Sequence, residues 1–153
     1  MKDASFNLFN LFNGRWAITR GAVNNTTNKT FLRAKGEARF SFAENNSNRL
    51  KYDENLKIIY KDYYSPINGR QSYVYDYDED SNVITKHFSD GRVFYVLNTL
   101  ENTITGSHIC DMDIYKAKYL IINQTNFIAS YTVLGPHKDY TITTIYSKVY
   151  EGY

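Results

Sequence analysis

His108 and Cys110 stand two apart in the chain, and so do Asp113 and Tyr115. On a strand, residues two apart share a face, with Cα atoms roughly 7 Å apart. A thiol beside an imidazole is the arrangement of a thiolate nucleophile. A buried thiol next to a hydrogen-bonded imidazole is the preferred alternative, because catalytic Cys–His pairs are brought together by the fold and not by adjacency in sequence. The odd step from Cys110 to Asp113 requires a bulge or a tight turn, or else the two pairs face opposite ways. The spacing matches no familiar ligand set, so no metal is expected here.

Gly135-Pro136-His137-Lys138-Asp139-Tyr140 combines a turn with hydrogen-bonding side chains. Gly and Pro set the turn. Lys138 and Tyr140 then share a face as a strand begins, where an amine and a phenol could hold a carboxylate or phosphate, or act as acid and base. The alternative is a turn whose charges pin neighbouring strands. Asp90-Gly91-Arg92 is a hairpin signal that puts Arg92 on the face of Phe94. Facing inward, its planar fork of donors would clamp an anion; facing outward, it would be a solvated strand residue. Arg20 shares the parity of Trp16 and Ile18, which favours a mixed interior. Tyr73, Tyr75 and Tyr77 alternate on one face, and cross-strand packing is the preferred reading over a stacking platform.

The elements that must hold these residues are strands. The 153 residues include 15 Tyr and 9 Phe against 2 Pro, a strand-rich palette. Turn chemistry divides the chain into candidate strands at Arg15–Val23, Phe31–Phe42, Arg49–Asp53, Lys57–Tyr64, Arg70–Tyr77, Val83–Phe88, Arg92–Asn98, Thr103–Cys110, Ile114–Ile122, Phe127–Leu134 and Tyr140–Tyr150, some of which can merge. Asn68-Gly69 and Asp90-Gly91 carry the strongest short hairpin signals. One segment reads as helix: Ser5 as a cap, with Phe6, Phe9 and Phe12 on one side. The expectation is an all-β fold over 1–153: one antiparallel up-and-down barrel of eight to ten strands, with a short N-terminal helix. Closing the meander removes the edges that would otherwise aggregate.

Composition excludes several classes. A net charge of +2 is far from a nucleic-acid-binding excess. The first half is mildly basic, but its charges are spread among strands and read as a solvated face. No run approaches the roughly 20 apolar residues of a membrane helix. Met1 to Gly14 lack the apolar core of an export signal, and the lone thiol fits a reducing compartment, so a cytoplasmic location is expected.

Gly14-Arg15-Trp16, on the first strand after a short helix, resembles the opening of the calycin superfamily, which includes lipocalins and fatty-acid-binding proteins. In those barrels a basic side chain near the last strand's end covers the tryptophan. Lys148 is positioned for that role, a cation over a ring worth about 0.5–2 kcal/mol. A longer resemblance rests on FNLFNGRWAITR (Phe9–Arg20), HFSDGRVF (His87–Phe94), HICDMDIY (His108–Tyr115) and GPHKDY (Gly135–Tyr140) with Tyr146. In this order they resemble DUF6314, a bacterial and fungal family of about 150-residue proteins. The resemblance implies a calycin-like barrel and no stated activity. His137 stands where the family usually has Arg, Phe127 where it has Trp, and Lys148 where it has Arg.

The function expected is binding of a small organic, anionic or amphipathic ligand inside the barrel, with no cofactor assigned. Arg20, Arg92, His108, Cys110, Asp113, Tyr115, Lys138 and Tyr140 are the candidate contacts, while Trp16 and Lys148 are structural. The alternative is a cofactor-free enzyme using His108, Asp113, Tyr115, Lys138 and Tyr140. No Gly-rich phosphate loop, nucleophile elbow or zinc-protease motif is present.

Overall fold

A computed structural model describes residues 4–60, 65–99, 104–110 and 112–150. Helix α1 (Ala4–Phe12) precedes ten strands: β1 (Gly14–Asn24), β2 (Lys29–Ala43), β3 (Asn46–Tyr60), β4 (Ile67–Asp78), β5 (Val83–Phe88), β6 (Val93–Asn98), β7 (Ile104–Cys110), β8 (Asp113–Asn123), β9 (Asn126–Gly135) and β10 (Lys138–Val149). Each strand pairs antiparallel with the next, and β10 returns to β1, giving a closed up-and-down barrel. The side-chain period of two is visible along β3, where Leu50, Tyr52, Glu54 and Leu56 are buried and Lys51, Asp53, Asn55 and Lys57 are exposed.

Three sequence expectations change. The split proposed at residues 54–56 is absent: β3 runs unbroken, because inward-facing Glu54 has a partner that only the closed barrel supplies. Asn68-Gly69 is no turn. Both residues lie within β4, paired with Lys57 and Leu56, and the β3–β4 connection falls earlier than that signal places it, between Tyr60 and Ile67. Gly69 is wanted for another reason, since a Cβ there would lie 2.6 Å from Ile58 Cδ1. Ser5 sits inside α1 and is not its cap. Residues 61–64, 103 and the Phe6 side chain, which those expectations included, lie outside the described residues. The Asp90-Gly91 signal does form a turn, with Gly91 at φ 95°.

Helix α1 closes one end of the barrel. A helix this short is marginal alone and owes its stability to what it buries. Phe9 and Phe12 are fully buried, Phe12 stacking on Phe40 at 5.3 Å and meeting Phe127 at 5.0 Å. Trp16 is also fully buried, and its Nε1 donates to the Phe12 carbonyl over 2.8 Å, satisfying one orphan acceptor at the helix end. Lys148 Nζ lies 4.8 Å from the Trp16 ring and donates to the Asn13 and Leu11 carbonyls. It thus covers the tryptophan and complements the negative end of the helix dipole.

Large-to-small replacement at such a site leaves a cavity. Trp16→Ala should cost about 3–5 kcal/mol, read as a shifted urea midpoint, whereas Lys148→Ala should cost only about 0.5–2 kcal/mol. A Trp16→Ala protein that unfolds at the wild-type midpoint would contradict the closed-end assignment.

Candidate functional site

The barrel interior is polar at its centre. Arg20 on β1 reaches Glu54 on β3 by two parallel hydrogen bonds, Nη1 to Oε2 and Nη2 to Oε1, both 2.7 Å. The strand between them faces inward with Ala34 and Ala38, both buried, which leaves room for the pair. Arg20 Nε donates to Thr144 Oγ1 at 2.7 Å. Tyr52 donates its hydroxyl proton to Glu54 Oε1 at 2.6 Å and accepts from the Tyr146 hydroxyl at 2.8 Å. Both acidic oxygens and all three kinds of guanidinium nitrogen are therefore engaged, as a buried ion pair requires. Burial alone would raise the Glu54 pKa, but the hydrogen bonds and charge of Arg20 outweigh it and hold the carboxyl below its usual value. Burial likewise opposes the Arg20 charge, and Glu54 more than restores it, so its pKa is raised.

Two strands along from Glu54, Lys86 on β5 points inward and is only 8% exposed. Its Nζ lies 4.0 Å from the Tyr73 ring centroid and 5.3 to 5.9 Å from those of Phe94, Tyr95, Tyr75 and Tyr52. Among the described residues no carboxylate comes within ion-pair distance of it and no hydrogen bond is made by it. Burial depresses its pKa to about 7; the Glu54 charge opposes the fall, and the Arg20 charge adds to it. A second hydroxyl chain runs beside it, with Tyr119 meeting Tyr95 at 2.8 Å and Tyr75 at 3.2 Å. Burial raises the pKa of all three phenols, so they stay neutral.

The residues singled out by sequence fall into three places. Arg20 is interior, but its charge is neutralised by Glu54. His108, Asp113, Tyr115, Lys138 and Tyr140 gather at the end opposite α1, where β7–β8 and β9–β10 turn. The odd step between the two pairs is the β7–β8 hairpin itself, which sets Cys110 opposite Asp113 and His108 opposite Tyr115. The side chain of Cys110 lies outside the described residues. Lys138 Nζ is 2.9 Å from Asp113 Oδ2. The hydrogen bond to Asp113 raises the Lys138 pKa, and burial raises that of Tyr140. Gly135 makes the Asp113 position possible, since a Cβ there would overlap the Asp113 carboxylate. Arg92 precedes β6; its side chain is 74% exposed, pairs with Asp90 at 2.8 Å and lies over the Phe88 ring. Among the described residues no three His, Cys, Asp or Glu side chains assemble as a metal site.

Glu54, Lys86, Tyr52 and Thr144 were not singled out by sequence, and Tyr146 entered only through the family resemblance. Glu54 had a legible signal, because it occupies the apolar phase of Leu50, Tyr52, Leu56 and Ile58. Lys86 had little, because Val83–Phe88 carries polar and apolar residues on both phases.

These features define a closed, ten-stranded up-and-down barrel with one helix-plugged end and an ion-paired, tyrosine-rich interior. Residues 12–148 match DUF6314, a family of unknown function, and the chain belongs to that family. A comparison with curated proteins finds no match. Among solved structures, the fold is similar to the S-type phycobiliprotein lyase CPES from Guillardia theta, with a TM-score of 0.72, 10% identity, and coverage of 95% of this chain and 93% of that one. It is also similar to EF1p2_mFAP2b bound to DFHBI, with a TM-score of 0.51, 10% identity, and coverage of 96% and 100%. No helix among the described residues is long and apolar enough to cross a membrane.

Removing one partner of a buried ion pair leaves the other charge uncompensated. Glu54→Leu should therefore destabilise by about 3–5 kcal/mol, while Arg20→Met/Glu54→Leu should recover most of that loss. Urea denaturation of both variants checks this, and a double variant as unstable as the single one would contradict the coupling.

Proposed function

We propose that the barrel binds a small organic ligand in its interior, entering at the end opposite α1. The ligand is amphipathic: an apolar or aromatic body lies against the tyrosine walls, and an anionic or hydrogen-bond-accepting group points to Lys86. One observation carries this reading. Lys86 is a buried ammonium with ring faces around it and no carboxylate partner among the described residues, a costly arrangement that a bound acceptor would relieve. Support comes from strand number. Eight-stranded barrels are just wide enough for side chains or one small ligand, and diameter grows with the number of strands, of which this barrel has ten. The two similar barrels add fold-level support, since one is a phycobiliprotein lyase and the other holds DFHBI.

In this reading His108, Tyr115, Tyr140 and the Asp113–Lys138 pair form the entrance. Arg20 acts through Glu54 to set the interior field and is not the anion anchor. Arg92 and Cys110 belong to the turns at the same end. A small-molecule partner and no nucleic acid fit the net charge of +2, and a cytoplasmic setting fits the lone thiol. A second reading, cofactor-free catalysis at the entrance, draws on the gathering of His108, Tyr115, Asp113 and Lys138, with His108 and Tyr115 ring centroids 6.0 Å apart.

The test is native mass spectrometry of the purified protein for a co-purifying small molecule, with titration of 1-anilinonaphthalene-8-sulfonate, an amphipathic anion. Saturable binding of one equivalent, weakened at least about tenfold by Lys86→Met and unaffected by Lys51→Ala on the outer face of β3, is expected; tenfold corresponds to about 1.4 kcal/mol. Absence of both a co-purifying molecule and saturable dye binding would overturn the proposal.

A further inference from the structure

Lys86 has the surroundings of a reactive amine and not of a structural cation. Structural lysines inside proteins are paired with carboxylates or reach out to water. The described surroundings of Lys86 offer neither: its ammonium is held among Tyr52, Tyr73, Tyr75, Phe94 and Tyr95, and the nearby carboxylate, Glu54, is already held by Arg20 and Tyr52. On its own strand, Lys86 is flanked in the inward phase by Ile84 and Phe88, which carry no charge.

We propose that Lys86 is a nucleophile that condenses with an aldehyde- or ketone-bearing ligand in the barrel to form an imine. This deepens the ligand-binding reading above and rests on it. The step balances without an oxidant or reductant. The Nζ lone pair attacks the carbonyl carbon, the carbonyl π pair moves to oxygen, and one proton passes from nitrogen to that oxygen to give the neutral carbinolamine. The hydroxyl then takes up a second proton and leaves as water while the nitrogen lone pair forms C=N, and the nitrogen gives up its second proton, so that two protons leave nitrogen and two leave with the oxygen. The neutral amine that attack requires is favoured by desolvation, the same cause that brings the Lys86 pKa to about 7. The groups facing it that titrate or carry charge are Tyr52, Tyr73, Tyr75, Tyr95, Glu54 and Arg20. The tyrosines stay neutral because burial raises their pKa values, and the Arg20–Glu54 pair carries no net charge.

The experiment uses 2-naphthaldehyde as the probe and 2-naphthalenemethanol as its non-condensing analogue. The full chain is incubated with the aldehyde and cyanoborohydride at neutral pH, then read by intact mass and peptide mapping. The expected result is a single reduced adduct on Lys86, formed at least about tenfold faster than on the exposed lysines Lys116 and Lys118. Lys86→Arg, which keeps the cation, should lose the adduct and still bind the alcohol. Because the modified residue is read in the wild-type chain, the result does not depend on how a variant folds. Labelling spread over surface lysines, with the alcohol still bound, would overturn the imine proposal and leave ligand binding standing. Binding of neither compound would overturn the imine proposal for this ligand class and count against the binding reading as well.

Discussion

The interior of this barrel depends on the Arg20–Glu54 ion pair. An isolated buried carboxylate or guanidinium would cost several kcal/mol. Here two parallel hydrogen bonds, a threonine on the guanidinium and a tyrosine on the carboxylate satisfy both groups. The pair ties β1 to β3 across the small inward residues of β2, and through Tyr52, Tyr146 and Thr144 it engages β10 as well. It therefore links the strands at which the meander closes. With no net charge of its own, it also lets the surrounding phenols remain hydrogen-bonding and neutral.

That same pairing determines what is left for Lys86. Glu54 is the acidic group whose field reaches the lysine, yet its oxygens are committed to Arg20 and Tyr52. The ammonium is left to ring faces, whose attraction of about 0.5–2 kcal/mol each is small beside the cost of burial. The barrel holds a charge-poor environment around one amine, two strands away from the carboxylate of a satisfied ion pair. Strongly perturbed groups of this kind cluster at functional sites. The closed end, with Trp16 beneath Lys148 and Phe12 in the aromatic cluster, supplies packing that offsets this cost.

Much of the fold was legible because hairpins leave local marks. Asp90-Gly91 turned where its chemistry said, and the alternation of Trp16, Ile18 and Arg20 correctly put the arginine on the inner face. Asn68-Gly69 misled because a strand glycine can also mark a close approach, here that of the Ile58 side chain to the Gly69 backbone. The site was less legible. Its central contacts join Arg20 to Glu54 and Tyr52 to Tyr146, 34 and 94 residues apart, and no local pattern encodes such pairing. His108 and Tyr115 were visible because the β7–β8 turn keeps them close in sequence as well as in space, and Lys138 because it stands beside the Gly135-Pro136 turn. Lys86 sits in a strand of mixed character, and only barrel closure decides which of its faces is inside.

The measurement that bears most directly on this account is an NMR titration of the Lys86 Cε–Hε signal, assigned with Lys86→Arg, in the ligand-free protein. If Glu54 is committed to Arg20 and the amine is left to the aromatic rings, Lys86 should titrate with a midpoint near 7, well apart from the exposed lysines near about 10.4. A Lys86 signal that titrates together with the surface lysines would mean that its charge is compensated or hydrated inside the barrel, and would contradict the account.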